Sequence, residues 1–262
     1  MSRTGKRSIS SHERKVLFAI CISSLGSYYG LTVTGFALPQ IQQGLAIPED
    51  EIGSLFALLR FGALFSIVLA VLADRVGRRM LLIASVVGCA LCSVATAFVQ
   101  SGIELAWMQF FLRFFVGAQI LLSVVVVAEE LSAENRGWGI GVVSAVGSMG
   151  GALTLLAFAF VDHLPFGWRA LYVIGGFGLL CVPWLWGSLT ETRRFSEHQS
   201  HVDADVSDGP VWKPLRDIAL HHGWRLAALV GVVAPVSIIL EPSITFVSKY
   251  LQDDLSYSPG QT

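Results

Sequence analysis

Charge is scarce in this chain. Of its 262 residues only 14% are Asp, Glu, Lys or Arg, against about 25% in an ordinary soluble domain. Neither sign is in excess, because the net charge is −1. A chain with no basic footprint has nothing to offer a phosphate backbone, so nucleic acid is excluded as a partner. Cysteine is rare as well: Cys21, Cys89, Cys92 and Cys181 all lie inside apolar runs. Cys89 and Cys92 form a C-x-x-C, a spacing that elsewhere serves redox or metal chemistry. In the middle of an apolar run cysteine acts as a small hydrophobe. No histidine lies within a membrane-length stretch, since all six sit at run ends or in polar connections. A nucleophile–base set is therefore missing and an enzyme is not expected. His198, His201, His221 and His222 gather near Asp203 and Asp205 in a polar segment. They lack the fixed geometry of a metal site, so no metal and no cofactor is expected. There is also no G-x-x-x-x-G-K-S/T loop, which excludes nucleotide hydrolysis as an energy source.

What the chain has in quantity is apolar surface. Hydrophobic residues make up 53% and the mean hydropathy is +0.64, more than a soluble domain of this size can bury. Seven runs carry little or no charge, at 16–38, 52–73, 80–99, 105–128, 139–161, 170–189 and 226–248. Each reaches the length of about 20 residues that crosses a bilayer. The expected fold class is an all-α polytopic membrane protein with the lipid bilayer as its first partner. A basic stretch (Arg3, Lys6, Arg7, Arg14, Lys15) precedes the first run, as in a signal peptide. That run is too long for a signal h-region and no A-x-A site follows it, so it is read as a retained helix.

The expected layout is an N-terminal segment 1–15, a six-helix bundle 16–189, a polar linker 190–225 and a seventh helix opening a second bundle at 226–262. The linker contains a turn-rich stretch at Ser207 to Pro210 and a short amphipathic piece from Val211 to Ala219. Lys and Arg set the orientation. With the N-terminus cytoplasmic, fourteen of the 18 basic residues fall inside and only Arg169 and Lys249 outside. Arg60 and Arg113 lie within runs. Six helices plus one is an unusual number, and a longer parent protein is expected.

Between the second and third runs the sequence reads Ala70-Val-Leu-Ala-Asp74-Arg75-Val-Gly77-Arg78-Arg79. So short a loop needs a residue that permits a tight turn, and Gly77 supplies it. This stretch resembles G-x-x-x-D-R/K-x-G-R-R/K, the signature loop of the major facilitator superfamily, with Ala70 in the first glycine's place. Arg113 followed by Gly117 is similar to that superfamily's R-x-x-x-G pattern. Glu129 to Gly137, with Arg136, resembles the E-x6-R-G segment of sugar-porter-like members. Glu191-Thr-Arg-Arg194 resembles their P-E-S-P-R segment, with Thr190 and Arg193 where prolines would stand. The resemblance covers the first half of a transporter plus one helix of the second. It implies two six-helix halves rocking about a site near the midplane, with proton coupling and cytoplasmic gating charges. By that resemblance Asp74, Arg75, Gly77, Arg78, Arg79, Glu129, Arg136, Glu191 and Arg194 are candidate gating residues.

Two charges are buried by position. Arg60 and Arg113 each lie about eight residues into a run, about 12 Å deep at 1.5 Å per residue. Intramembrane charge marks function by default, although a neighbouring polar side chain or helix-end carbonyl can also satisfy it. Two guanidiniums without a nearby carboxylate favour an anionic solute. Gln109 stands one turn before Arg113 on the same face. Tyr28 and Tyr29 lie mid-way along the first run, with Thr32 and Thr34 beyond; such residues suit a cavity wall and equally suit helix packing. Glu241, beside Pro242 in the seventh run, is a candidate proton-coupling group or an interfacial charge. In the fifth run Gly147-x-x-x-Gly151 is a close-packing pattern. That run lacks the proline of drug–proton antiporters and the glutamine of sugar porters. The expected function is a proton-coupled secondary transporter (a symporter) of a small polar, anionic solute in the plasma (bacterial inner) membrane. The alternative is an inactive fragment or a non-transporting subunit that needs a partner chain.

Overall fold

A computed structural model of the chain describes residues 9–189 continuously and twelve further positions between 220 and 252, without the side chains of Asp74 and Arg75. Among the described residues six stretches are long and apolar enough to cross a membrane. Every regular element described is helical, as hydrocarbon demands of a backbone that must satisfy its own hydrogen bonds.

Helix α1 (Ser11–Phe36) starts on a capping box. The Ser10 hydroxyl accepts from the Glu13 N–H at 3.1 Å, and the Glu13 carboxylate accepts from the Ser10 N–H at 2.8 Å. The first apolar run does not continue unbroken to 38. Pro39 cannot donate to the ladder, so the chain bends at Ala37 and restarts as α2 (Leu38–Leu45). Helix α3 (Glu49–Val76) opens with Glu49, Asp50 and Glu51 against the positive end of its dipole. Gly77, at φ 113°, is the whole connection to α4 (Arg78–Thr96). Helix α5 (Gly102–Glu130) is capped by Ser101, and α6 (Arg136–Phe158) follows a short turn. The sixth span, Trp168–Ser188, is not one regular helix. It runs as α7 (Trp168–Gly175), a 3-10 stretch Gly176–Cys181 and α8 (Val182–Ser188). Gly175, Gly176 and Gly178 hold this helix weakly, and Pro183 removes a ladder donor just beyond them.

Spans alternate in direction, so α1 runs parallel to α6 and α3 parallel to α5; these pairs form the two main seams, and α4 packs on α5. Glycine makes the seams close. A Cβ at Gly117 of α5 would meet the Ser66 side chain of α3 at 2.5 Å, and one at Gly147 of α6 the Tyr28 ring of α1 at 3.0 Å. At Gly150 it would strike the Leu25 carbonyl itself. The pattern expected from Gly147 and Gly151 is thus displaced: Gly147 and Gly150 make the approach, while a Cβ at Gly151 would reach Thr32 only at an ordinary 3.5 Å. Two large apolar cores result, with a small third cluster of Cys89, Leu112 and Val116. One, near the α2 end, includes Val33, Ile41, Leu59, Leu105, Phe158 and Leu171. The other, near the α3–α4 turn, includes Val16, Ile20, Leu82, Leu122, Val127 and Leu185.

Candidate solute site and gating charges

A polar layer borders the first of these cores, which itself includes Tyr29 and Tyr172. Arg113 of α5 is buried, at 9% exposure. One turn earlier, Gln109 is almost fully buried. Its carbonyl accepts from the Thr34 hydroxyl at 2.8 Å, and its amide donates to the Thr96 hydroxyl at 3.2 Å. Thr34 has one proton, committed to Gln109, so the Tyr172 hydroxyl donates to Thr34 across 2.9 Å. Ser93 donates to the Tyr172 carbonyl at 2.8 Å, and Tyr29 to the Leu171 carbonyl at 3.0 Å. This net ties α1, α4, α5 and α7 together behind Arg113. It satisfies every group it uses, as a low-dielectric interior requires.

The candidate solute residues therefore separate. Gln109 and Tyr29 have polar atoms committed to the frame. Tyr28 is half-buried and lies against Gly147. Arg60 of α3 is half-buried, with its Nε enclosed and without a hydrogen-bond partner in this structure. Arg60 and Arg113 stand on the two helices of the α3–α5 seam.

A second polar group sits closer to the α3–α4 turn. Ser27 donates to the Gln119 carbonyl oxygen, and Gln119 is fully buried. Beside Ser27, a cavity of about 20 Å³ is lined by Ser23, Cys89 and Cys181 among others, room for about one water molecule. Gln119 and Tyr172 are not among the residues that the sequence singles out. An uncharged amide in a membrane-length run is itself a sign of an interhelical bond, and it was available at Gln119.

At the α3–α4 turn the charges meet within the bundle. Arg78 at the start of α4 forms an ion pair with Glu129 at the end of α5. Arg79 donates to the Trp186 carbonyl at 2.5 Å and stacks 5.0 Å above the Trp186 ring. Arg136 donates to the Leu131 carbonyl at 3.2 Å. The start of α1 joins them: His12 lies 2.8 Å from Glu130, and Glu13 accepts from the Ser132 N–H at 2.9 Å. Glu191, Arg194 and Glu241, like His198, His201 and His222, lie outside the described residues.

The sequence profile of the Major Facilitator Superfamily matches residues 20–262. A gallate transporter of Pseudomonas putida is 28% identical over 193 residues, which cover 72% of this chain and 42% of the relative. The glycine betaine/proline/ectoine/pipecolic acid transporter OusA of Dickeya dadantii is 23% identical over 94% of this chain and 54% of its own length. The chain spans about half the length of the curated relatives it matches. Among solved structures, a bacterial homologue of the human lysosomal transporter Spinster superposes with a TM-score of 0.73 at 20% identity, covering 97% of this chain and 58% of that one. The inward-open xylose transporter XylE of E. coli gives 0.70 at 16% identity, over 93% of this chain and 65% of that one. An integral membrane protein with this six-span bundle, this α3–α4 turn and this profile belongs to the Major Facilitator Superfamily.

Proposed function

We propose that this chain forms the solute-binding N-terminal half of a secondary transporter that moves a small organic carboxylate by alternating access. Arg113 binds the carboxylate, and Arg60 adds a second positive charge from the facing helix. The observation that carries this reading is the burial of the Arg113 guanidinium at membrane depth, above a net that has already taken up Gln109, Thr34 and Tyr172. Guanidinium is the side chain best shaped to grip a carboxylate. The solutes named for the gallate transporter and for OusA all carry a carboxylate, which supports the same ligand chemistry here. The α3–α4 turn lies on the cytoplasmic side of a bacterial inner membrane, with the N-terminus, as the distribution of Lys and Arg favours. There Arg78 and Glu129 brace the α3–α4 turn, and Arg79 and Arg136, with Asp74, Arg75, Gly77, Glu191 and Arg194, set the equilibrium between inward- and outward-open states. Glu241 carries the coupled proton. Domain limits at 15, 189 and 225 complete the proposed layout.

The test is uptake of radiolabelled carboxylates, gallate first, by the transporter that carries this chain. A charge-assisted hydrogen bond contributes about 1.5–3 kcal/mol, so Arg113→Gln should raise the apparent KM about 10- to 100-fold. Arg113→Lys should keep the charge, lose the fork geometry and fall between. Unchanged KM in both Arg113→Gln and Arg60→Gln, in protein that inserts normally, would refute the carboxylate site.

A further inference from the structure

One face of α1 is left open by its neighbours. Helix α6 flanks it on one side and the sixth span on the other, and these two meet chiefly at α7. Between them runs a groove of about 500 Å³. Its floor is α1 from Ile22 to Tyr29. One wall is Leu153, Leu156 and Phe160, and the other is Ile174, Phe177 and Cys181. Gly26, Gly175 and Gly178 line it without a side chain to fill it, and a Cβ at Gly26 would meet nothing within 4 Å.

The walls narrow the choice of occupant. Every lining side chain is apolar except Tyr29 and Cys181, and the Tyr29 hydroxyl is committed to the Leu171 carbonyl at 3.0 Å. No group there pairs with a carboxylate, so the groove is not a second solute site. Ordered water asks for several polar partners and finds none. So large a space does not stay empty beside a close-packed interior. Leu156, Phe160, Phe177 and Leu180 are exposed around it, so the groove continues the face that meets hydrocarbon.

Its length is that of one leaflet. Gly150 packs on Leu25 near the middle of α1. Phe160 lies ten residues further along, about 15 Å at 1.5 Å per residue, which is half of a ~30 Å core. The groove thus runs from the midplane to the α2 side of the membrane. The loop joining its two walls carries Phe166 at φ 70° and 85% exposed, a costly backbone for a bulky side chain. The described part of the second half sits elsewhere. Lys249 donates to the Gln42 carbonyl oxygen at 2.7 Å and to Glu49 at 3.1 Å, and Gln40 donates to the Gln252 carbonyl oxygen at 2.6 Å. Those contacts are on α2 and α3, and α3 packs mainly on α5 and α4.

We propose that the groove binds one acyl chain of a phospholipid from the leaflet on the α2 side. The sixth span is the least buried of the six, and its 3-10 stretch forms part of the groove. The acyl chain supplies the van der Waals packing that this span lacks within the protein, the force that holds helices together in hydrocarbon.

The test uses the transporter that carries this chain, in nanodiscs of phosphatidylethanolamine with a diazirine on one acyl chain. After illumination the labelled residues are read by mass spectrometry. A diazirine at the chain end should label around Gly26 and Cys181, and one beside the carbonyl should label around Phe160 and Ile174. Gly26→Leu fills the groove from α1 and should lower both at least fivefold, with labelling elsewhere unchanged. Added phosphatidylethanolamine should raise the Tm of detergent-solubilised wild type more than that of Gly26→Leu. Leu153→Trp, on the exposed wall, takes the same role if Gly26→Leu does not insert. An unlabelled groove, or labelling that neither variant lowers, overturns the site. Labelling by the carbonyl probe toward the α3–α4 turn instead overturns the choice of leaflet. A bifunctional thiol reagent that joins Gly26→Cys to the second half would make protein the occupant and overturn the lipid. None of these readouts depends on transport.

Discussion

Gly117 offers a test of the seam that sets the distance between the two intramembrane arginines. An added Cβ there would lie 2.5 Å from Ser66 Oγ and 2.7 Å from Ser66 Cβ. Apolar atoms rest at about 3.5–4.0 Å, so Gly117→Ala must part α3 from α5 by roughly 1 Å. Ser66 cannot swing aside, because its Cβ is fixed to the α3 backbone and its hydroxyl is bonded to the Ala63 carbonyl at 2.6 Å. Forcing a methyl group into such a contact costs about 1–3 kcal/mol. For a bundle of this size that is a fall of about 2–12 °C in Tm, readable by scanning fluorimetry in detergent. Two controls isolate the cause. Gly53→Ala, where a Cβ would meet nothing within 4 Å, should leave Tm level or raise it, since alanine is the better helix former. Ser66→Gly combined with Gly117→Ala should regain part of the loss by exchanging the methyl group across the seam. The parted seam should also raise the KM for a carboxylate, since Arg60 and Arg113 ride on these two helices. A Gly117→Ala protein with wild-type Tm, or a Gly53→Ala protein equally destabilised, would refute the close-approach argument.

Other expectations follow from the polar layer and the turn. Thr34→Val keeps the shape but leaves the Gln109 carbonyl and the Tyr172 hydroxyl without Thr34, at a cost of about 1–3 kcal/mol; Tm should drop by several degrees. Arg79→Ala removes the Trp186 hydrogen bond and ring stacking, and protease cleavage after residue 189 should quicken in membranes. Asp74→Asn should insert and fold normally yet slow uptake, and wild-type rates in that variant would end its gating role.

The six spans were legible because bilayer thickness sets a length and hydrocarbon sets a composition. The α3–α4 turn was legible because a one-residue connection leaves glycine as the only economical choice at φ 113°. Neither argument reaches inside a span. Apolar length does not say where a helix bends, so the break at Ala37 and the 3-10 stretch Gly176–Cys181 were not foreseen. Pro39 and the glycines at 175, 176 and 178 were the visible signals, and each is tolerated within membrane helices too often to decide alone. The polar layer was half visible. Arg113 announces itself by charge, but the partners of Gln109 come from α1 and α4, and no spacing along one helix predicts a bond to another. Lys249 counted only as a charge outside the membrane until Gln42 and Glu49 were found beside it.

The Arg78–Glu129 pair poses a finer question, because a contact biases two states only if it differs between them. Both residues belong to the same bundle, at the facing ends of α4 and α5. When two halves rock as rigid bodies, a bond inside one of them persists in both states. The pair is better understood as a strut that holds the α3–α4 turn in position to meet whatever opposes it. Its side chains are 19% and 9% exposed, so removing Arg78 takes the ion-pair partner from a mostly buried Glu129 carboxylate, and such losses reach about 3–5 kcal/mol where burial is complete. Arg78→Gln and Glu129→Gln should each lower Tm as well as the uptake rate. The exchange Arg78→Glu with Glu129→Arg decides between strut and latch. A strut asks only for attraction between these two ends, so the exchange should recover most of the Tm and at least half of the uptake. A latch asks for charges of a given sign facing the other half, and would recover Tm while uptake stayed low.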